Sequence, residues 1–271
     1  MLNLLWIGDD QDPAFAPTAA ALDRCARLRR VIDASAAQDY RGETAFDLIV
    51  LAAPLPGDLN ESQLVALRRT FPTAALVRIA GPWCGGEGRS NPAPAGITTY
   101  SWSHAAAALT ADLERLTGGE CPTFAEAPTA GEEERLMAAT AALFRREKGR
   151  ETPKPQSVGV AAMIPVAVSV VAAHPATRRW LCQACAALGY DVAVSADETR
   201  SDASIVVIDG GDLPTTLDWV SRRSRQGDSA RLIAVVGFAR PEDLEGLRAA
   251  GAAEVLVKPY PLELPAAALA L

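Results

Sequence analysis

Apolar residues along this chain come in short blocks closed by polar turns, and the blocks alternate with stretches of helical spacing. Residues 2–8 form a short apolar run of the kind that makes a buried strand, 17–27 are alanine-rich and helix-favouring, and 30–34 read as a second strand. The clearest strand is 46–53, an apolar run closed by Pro54 and Pro56. Residues 58–71 read as a helix with Leu59, Leu64 and Leu67 on one side, 74–80 as a strand, 97–102 as a fifth strand and 104–116 as a closing helix. Strands alternating with helices in this way favour a mostly parallel sheet covered on both faces.

The pattern breaks at 118–162. Gly118, Gly119, Pro122 and Pro128 read as linker, and 132–147 as one amphipathic helix. Its acidic start (Glu132, Glu133, Glu134) and basic end (Arg145, Arg146) suit the helix dipole. The stripe Leu136, Met137, Thr140, Leu143 and Phe144 packs on the first domain in the simpler reading, or meets a partner or a second copy in the sharper one. Residues 148–157 are polar, with two prolines, and read as a flexible connection. Strand-like runs then return at 166–172, 190–195, 205–209, 231–237 and 254–257, with helices expected at 175–188, 213–224, 241–250 and 262–271. The order of elements repeats that of the first part. The expected architecture is α/β: two flavodoxin-like, doubly wound, five-stranded parallel sheets in tandem, as domains 1–117 and 163–271 joined by 118–162.

A length of 271 residues suits two domains. The net charge of −7 lacks the basic footprint of a nucleic-acid protein and does not favour anionic membrane surfaces. The five cysteines are odd in number, no basic leader precedes the first apolar run, and the longest apolar stretch, 161–173, is shorter than the roughly 20 residues a membrane helix needs. A reduced, cytoplasmic protein without a membrane partner is the expectation. The only lysines are Lys148, Lys154 and Lys258.

The segment GAAEVLVKPYPL at 251–262 resembles the closing signature of response-regulator receiver (CheY-like) domains: a Gly-Ala turn, a strand, then Lys-Pro-aromatic. VVAAHPATR at 170–178 resembles the first strand and acidic turn of that family, followed by Pro-x-x-Arg. The resemblance implies a phosphoryl-accepting carboxylate after strand three, two acids after strand one that hold Mg2+, a hydroxyl after strand four and a Lys after strand five, all at the carboxyl ends of the strands. The second domain has Asp209 and Lys258 at two of these places. Ala172 and Ala173 stand where the acids belong, and Val236 or Gly237 where the hydroxyl belongs. Counting back from Pro214 by the family spacing lands on Gly210 rather than Asp209. In the first domain LWIGDD at 5–10 offers an acid pair, Asp9 and Asp10, while FDLIVLAAPLP at 46–56 puts Ala52 at the phosphoacceptor position. With no lysine before Lys148, the family's Lys cannot be present there. Both copies thus resemble degenerate receivers, in which Asp209 and Lys258 form an ion pair at the sheet edge.

Other constellations are weaker. GPWCGGEGRS at 81–90 opens a long loop reaching Gly96, a candidate interaction loop carrying Trp83, Glu87 and Arg89, with Trp102 packing beneath it. Cys182 and Cys185 stand one turn apart in mid-helix, as buried structural residues do, and His104 and His174 have no catalytic partners at suggestive spacing. The functional expectation is a non-catalytic, signalling-type pseudo-receiver that binds a protein partner, a homodimer being one such partner, and needs no cofactor. Two alternatives stay open: a divergent phosphoacceptor at Asp209 served by Mg2+, and a small-molecule binder using the 81–96 loop.

Overall fold

Among the described residues of a computed structural model, ten strands pair into two separate five-stranded sheets, and every pairing is parallel. The structure describes residues 1–42, 45–58, 60–84, 97–125, 166–187, 189–193, 203–227 and 229–258. The helices expected at 132–147 and 262–271 lie outside the described residues. The chain divides into two units, Met1–Ala142 and Leu143–Leu271.

In the first unit β1 (Asn3–Ile7), β2 (Arg27–Val31), β3 (Leu48–Ala53), β4 (Ala75–Ala80) and β5 (Thr98–Ser101) take the order β2-β1-β3-β4-β5. The helices are α1 (Ala16–Cys25), α2 (Glu61–Thr70) and α3 (Trp102–Thr117). The central strand β3 reads LIVLAA without alternation because a parallel strand is buried on both faces. Leu5, Ile49, Leu51, Leu64, Leu67 and Phe71 share one core cluster. α2 begins at a reciprocal cap: Asn60 Oδ1 accepts from the Gln63 amide at 2.8 Å and Gln63 Oε1 from the Asn60 amide at 3.2 Å.

The second strand departs from the sequence reading. It was expected at 30–34 but runs over Arg27–Val31, because α1 stops at Cys25 and residue 27 pairs with Asn3. This strand is the sheet edge, and its sequence RLRRV carries no apolar run. Charge on an edge blocks unwanted strand addition, and it also erases the hydrophobic signal. The connection from β2 to β3 is a 3-10 turn, Ala36–Tyr40, where a doubly wound unit ordinarily has a helix.

Beyond α3 the chain is tied back by a buried carboxylate. Asp112 accepts from Tyr100 Oη (2.6 Å) and Arg115 Nη1 (3.1 Å), and from the amide (2.9 Å) and hydroxyl (3.0 Å) of Thr123. One side chain thereby joins β5, α3 and the segment that leaves the unit.

The second unit repeats the plan. β6 (Ala167–Ala172), β7 (Asp191–Ala193), β8 (Ile205–Asp209), β9 (Arg231–Gly237) and β10 (Glu254–Lys258) take the order β7-β6-β8-β9-β10. The helices are α4 (Pro175–Ala187), α5 (Leu213–Arg225) and α6 (Pro241–Ala249). Val168, Val170, Val207, Ile233 and Val235 meet Leu181 and Cys185 of α4 in its core. Asp212 caps α5 by accepting from the Thr215 amide at 2.8 Å. Each unit is a flavodoxin-like, doubly wound α/β domain.

Asp112→Ala should lower the stability of the first unit by about 3 kcal/mol, since it leaves the Arg115 charge and the Tyr100 hydroxyl without their acceptor. Urea denaturation followed by Trp fluorescence measures this.

Candidate functional site

In a doubly wound sheet the connections leaving the first and third strands diverge, and a crevice opens at their carboxyl ends. In the second unit that place is held by Ala172 of β6 and Asp209 of β8, which are paired across the sheet. Asp209 is 2% exposed. Its Oδ2 lies 2.6 Å from Lys258 Nζ at the end of β10, and its Oδ1 accepts from the Gly211 amide at 3.0 Å. Its backbone carbonyl accepts from the Ala173 amide at 2.8 Å. Both carboxylate oxygens are therefore occupied from within the chain.

The two glycines that follow explain the shifted spacing to Pro214. A Cβ on Gly210 would lie 2.4 Å from the Thr216 amide, so only glycine fits there. The Gly210 amide donates to Thr216 Oγ1 at 3.0 Å, and that hydroxyl donates to the Asp212 carbonyl at 2.7 Å. Gly211 takes φ +83°, a left-handed conformation suited to glycine. The extra residue is absorbed in this turn, and Asp209 rather than Gly210 faces Ala172.

Register transfers these positions to the first unit. Ile7 pairs with Leu51, so Gly8 stands beside Ala52 as Ala172 stands beside Asp209. The two are in tight contact: a Cβ on Gly8 would lie 2.9 Å from that of Ala52. Asp9 falls where Ala173 is, and Asp10 one residue further on. Asp9 is exposed and accepts from the Gln11 amide at 2.9 Å. Asp10 accepts from Arg30 Nε at 2.6 Å, and Arg30 also bonds Asp23. The acid pair expected from the sequence is thus split between a turn and an ion pair.

The place of Lys258 also has an occupant in the first unit. Lys258 pairs with Gly237, two residues past Val235, which lies level with Asp209. Ala52 pairs with Ile79, and two residues past Ile79 is Gly81. One step beyond the Ala80–Ser101 pair, Gly81 is level with Trp102. Trp102 is buried at the start of α3. Where the second unit has Asp209 and Lys258, the first has Ala52 and Trp102. The sequence has no lysine before Lys148; which residue stands in the first unit at the position of Lys258 became visible only through strand pairing.

Neither place fits the Mg2+ that the receiver resemblance implies. A hard divalent cation needs several oxygen ligands around it. The second unit offers a single carboxylate already bound by an ammonium, and the first offers two that face different partners. Among the described residues no three His, Cys, Asp or Glu side chains gather closely enough to hold a metal ion.

Of the expected interaction loop, Trp83 is exposed, while Glu87 and Arg89 lie outside the described residues. The start of that loop is clamped to the one after β3. The Gly81 amide donates to the Ala53 carbonyl at 2.9 Å, a Cβ on Gly81 would lie 2.7 Å from the Pro54 carbonyl oxygen, and Cys84 Sγ donates to the Ala53 carbonyl at 3.5 Å. In the second unit the corresponding loop carries Phe238, at φ +52° the one described residue other than glycine in the left-handed region, a residue the sequence reading did not single out. Cys182 and Cys185 are core residues of α4, and burial pushes the Cys185 thiol up to about 11.

No family model matches the chain, and no curated protein matches it. Solved structures with some likeness include the E. coli RcsC C-terminus with its linker region and phosphoreceiver domain, at 16% identity, covering 99% of this chain and 91% of that one, TM-score 0.31. The RcsB response regulator of Salmonella typhimurium shares 14% identity over 55% of this chain and 83% of its own, TM-score 0.31. The GsuK channel shares 12% over 99% and 68%, TM-score 0.31. Likenesses this distant assign no function.

Two outcomes follow from the geometry. Lys258→Met should destabilise the second unit by about 2 kcal/mol, less than a fully buried pair would lose because the ammonium is partly solvated. Adding Asp209→Leu in the same chain should recover most of the loss in denaturant titration. A thiol reagent at pH 8 should label Cys25 and Cys121 quickly in the native fold, and Cys84, Cys182 and Cys185 only as it unfolds, by peptide mass mapping.

Proposed function

We propose that the chain is a non-catalytic, signalling-type protein whose two receiver-like units act by binding other proteins. The observation that carries this reading is the chemistry at matched register positions. A receiver accepts a phosphoryl group on a carboxylate whose neighbouring acids hold the metal that neutralises the incoming charge. The first unit has Gly8, Ala52 and Trp102 at these places, and an alanine side chain cannot take a phosphoryl group. The second unit has a carboxylate, Asp209, with Ala172 and Ala173 beside it. A dianionic donor approaching Asp209 meets a carboxylate already paired with Lys258 and, at Ala172 and Ala173, no acids to hold a metal that would offset its own charge.

A second reading has one specific observation in its favour. The 2.6 Å contact between Asp209 and Lys258 is the pairing a phosphoacceptor keeps with its lysine. It makes Asp209 a divergent acceptor that works without a full metal site.

Intact-mass spectrometry after incubation with acetyl phosphate and Mg2+ separates the two. The first reading expects no phosphoryl adduct on the wild-type chain, and an adduct in an Ala172→Asp/Ala173→Asp variant that is lost again when Asp209→Ala is added. A wild-type adduct abolished by Asp209→Ala would establish the second reading instead.

A further inference from the structure

Few large apolar side chains among the described residues are left exposed, and where they are is informative. Aside from Met1, the large hydrophobic residues more than half exposed among the described ones are Ile32 (69%), Leu55 (52%), Trp83 (61%) and Phe238 (95%). Each lies in the loop just past a strand: Ile32 after β2, Leu55 after β3, Trp83 after β4 and Phe238 after β9. The remaining exposed ones, on helices or at a strand start, reach no more than 44%. Since all strands within a sheet are parallel, Ile32, Leu55 and Trp83 emerge at a single edge of the first unit, the edge where a receiver keeps its phosphorylation site. Exposed apolar groups that share one edge are the kind of feature contact surfaces use.

The charge around them is mainly acidic. The described stretches that leave this edge, 8–15, 32–35, 54–58 and 81–84, contain five aspartates and no Lys or Arg, and the connections they open add Arg41 and, beyond residue 84, Glu87 and Arg89. Asp10 is neutralised by Arg30. Asp9, Asp33 and Asp58 are exposed, and each is held by a backbone amide: Gln11 to Asp9, Ser35 to Asp33 and Leu55 to Asp58. These bonds fix where the carboxylates stand without cancelling their charge. Leu55 and Trp83 are likewise fixed relative to each other, because their loops are clamped through Gly81 and Cys84. The surface is therefore preorganised, which lowers the entropy lost on binding.

We infer that the carboxyl edge of the first unit docks a basic, amphipathic segment of a partner protein, whose apolar side chains meet Leu55, Trp83 and Ile32 and whose Lys or Arg side chains face Asp9, Asp33 and Asp58. An aromatic anchor inside a charged rim is the usual anatomy of such contacts. The second unit's edge differs: it carries Phe238, but Lys258 and Arg240 stand there too, so the same partner is not selected.

The inference rests on reading the chain as an interaction module, yet the two fail separately. A phosphoryl adduct on Asp209 would revise the second unit and leave this surface as it is.

The test uses the full chain and a displayed library of random peptides, with counter-selection on a Leu55→Ser/Trp83→Ala variant. Peptides that survive should be rich in Lys and Arg with apolar residues at helical spacing. Fluorescence anisotropy with a synthesised winner should show binding weakened about tenfold or more by Trp83→Ala and by Leu55→Ser, unchanged by Val65→Ser on α2, and weakened by added salt. Salt titration of the wild type needs no variant, so the charge claim stands or falls even if a substitution perturbs folding. Enrichment of neutral or acidic peptides, equal binding to the variants, or no selective enrichment would each overturn the proposal. So would a wild-type dimer in sedimentation that Trp83→Ala makes monomeric, which would give the face to a second copy.

Discussion

Parallel pairing is the constraint from which the rest of each unit follows. Two parallel neighbours cannot be joined by a hairpin, so every connection must cross over the sheet and return to the same starting edge. All carboxyl ends then share one edge, and loops from distant parts of the sequence meet there. Gly8, Ala52 and Ile79 are far apart along the first unit, yet the register sets them side by side. The same rule brings Ala172, Asp209 and Lys258 together in the second. A fold built this way offers a meeting place for chemistry whether or not the chemistry is present.

The two units treat that place differently, and the difference is electrostatic. In the second, a carboxylate with almost no solvent access is retained with its ammonium partner and a backbone amide. Removing either charge alone strands the other in a poorly solvated site, so the pair holds as a unit with no acid beside it at Ala172 or Ala173. In the first, Gly8, Ala52 and Trp102 carry no charge, and Asp9 beside them is exposed. Glycine against alanine closes the gap, and a buried tryptophan takes the lysine's register. The first solution removes the desolvation cost, and the second offsets it.

Much of the fold was legible because long apolar runs in parallel strands are hard to mistake. β3, β4, β8 and β9 lie where LIVLAA, ALVRIA, IVVID and RLIAVVG read as strands. The edge strand β2 was misplaced by three residues at each end because RLRRV is an arginine-rich edge with little apolar signal, and only its pairing with β1 defines it. At the sites, residue types were readable and neighbours were not. Asp209 and Lys258 stood out by chemistry. Whether Asp209 or Gly210 faced Ala172 depended on the turn made by Gly210 and Gly211 and on the Thr216 hydroxyl. Asp9 and Asp10 looked like a pair in sequence, but consecutive residues leaving a strand point to different surroundings, and Arg30 claims only the second.

The residues at the first unit's matched positions also bear on what its exposed edge is suited to meet. A working receiver keeps this edge polar, because a metal ion and a phosphoryl group must be solvated and exchanged there. With Gly8, Ala52 and Trp102 at the first unit's positions, no such requirement applies, and an exposed Leu55 or Trp83 is compatible with the site. Such residues still weaken solubility, and the aspartates around them counter this by keeping like surfaces apart. The same negative rim that discourages two copies from meeting face to face attracts a segment of opposite charge. An apolar centre and a mainly acidic rim are thus consistent parts of one surface, selective by repulsion as well as by attraction.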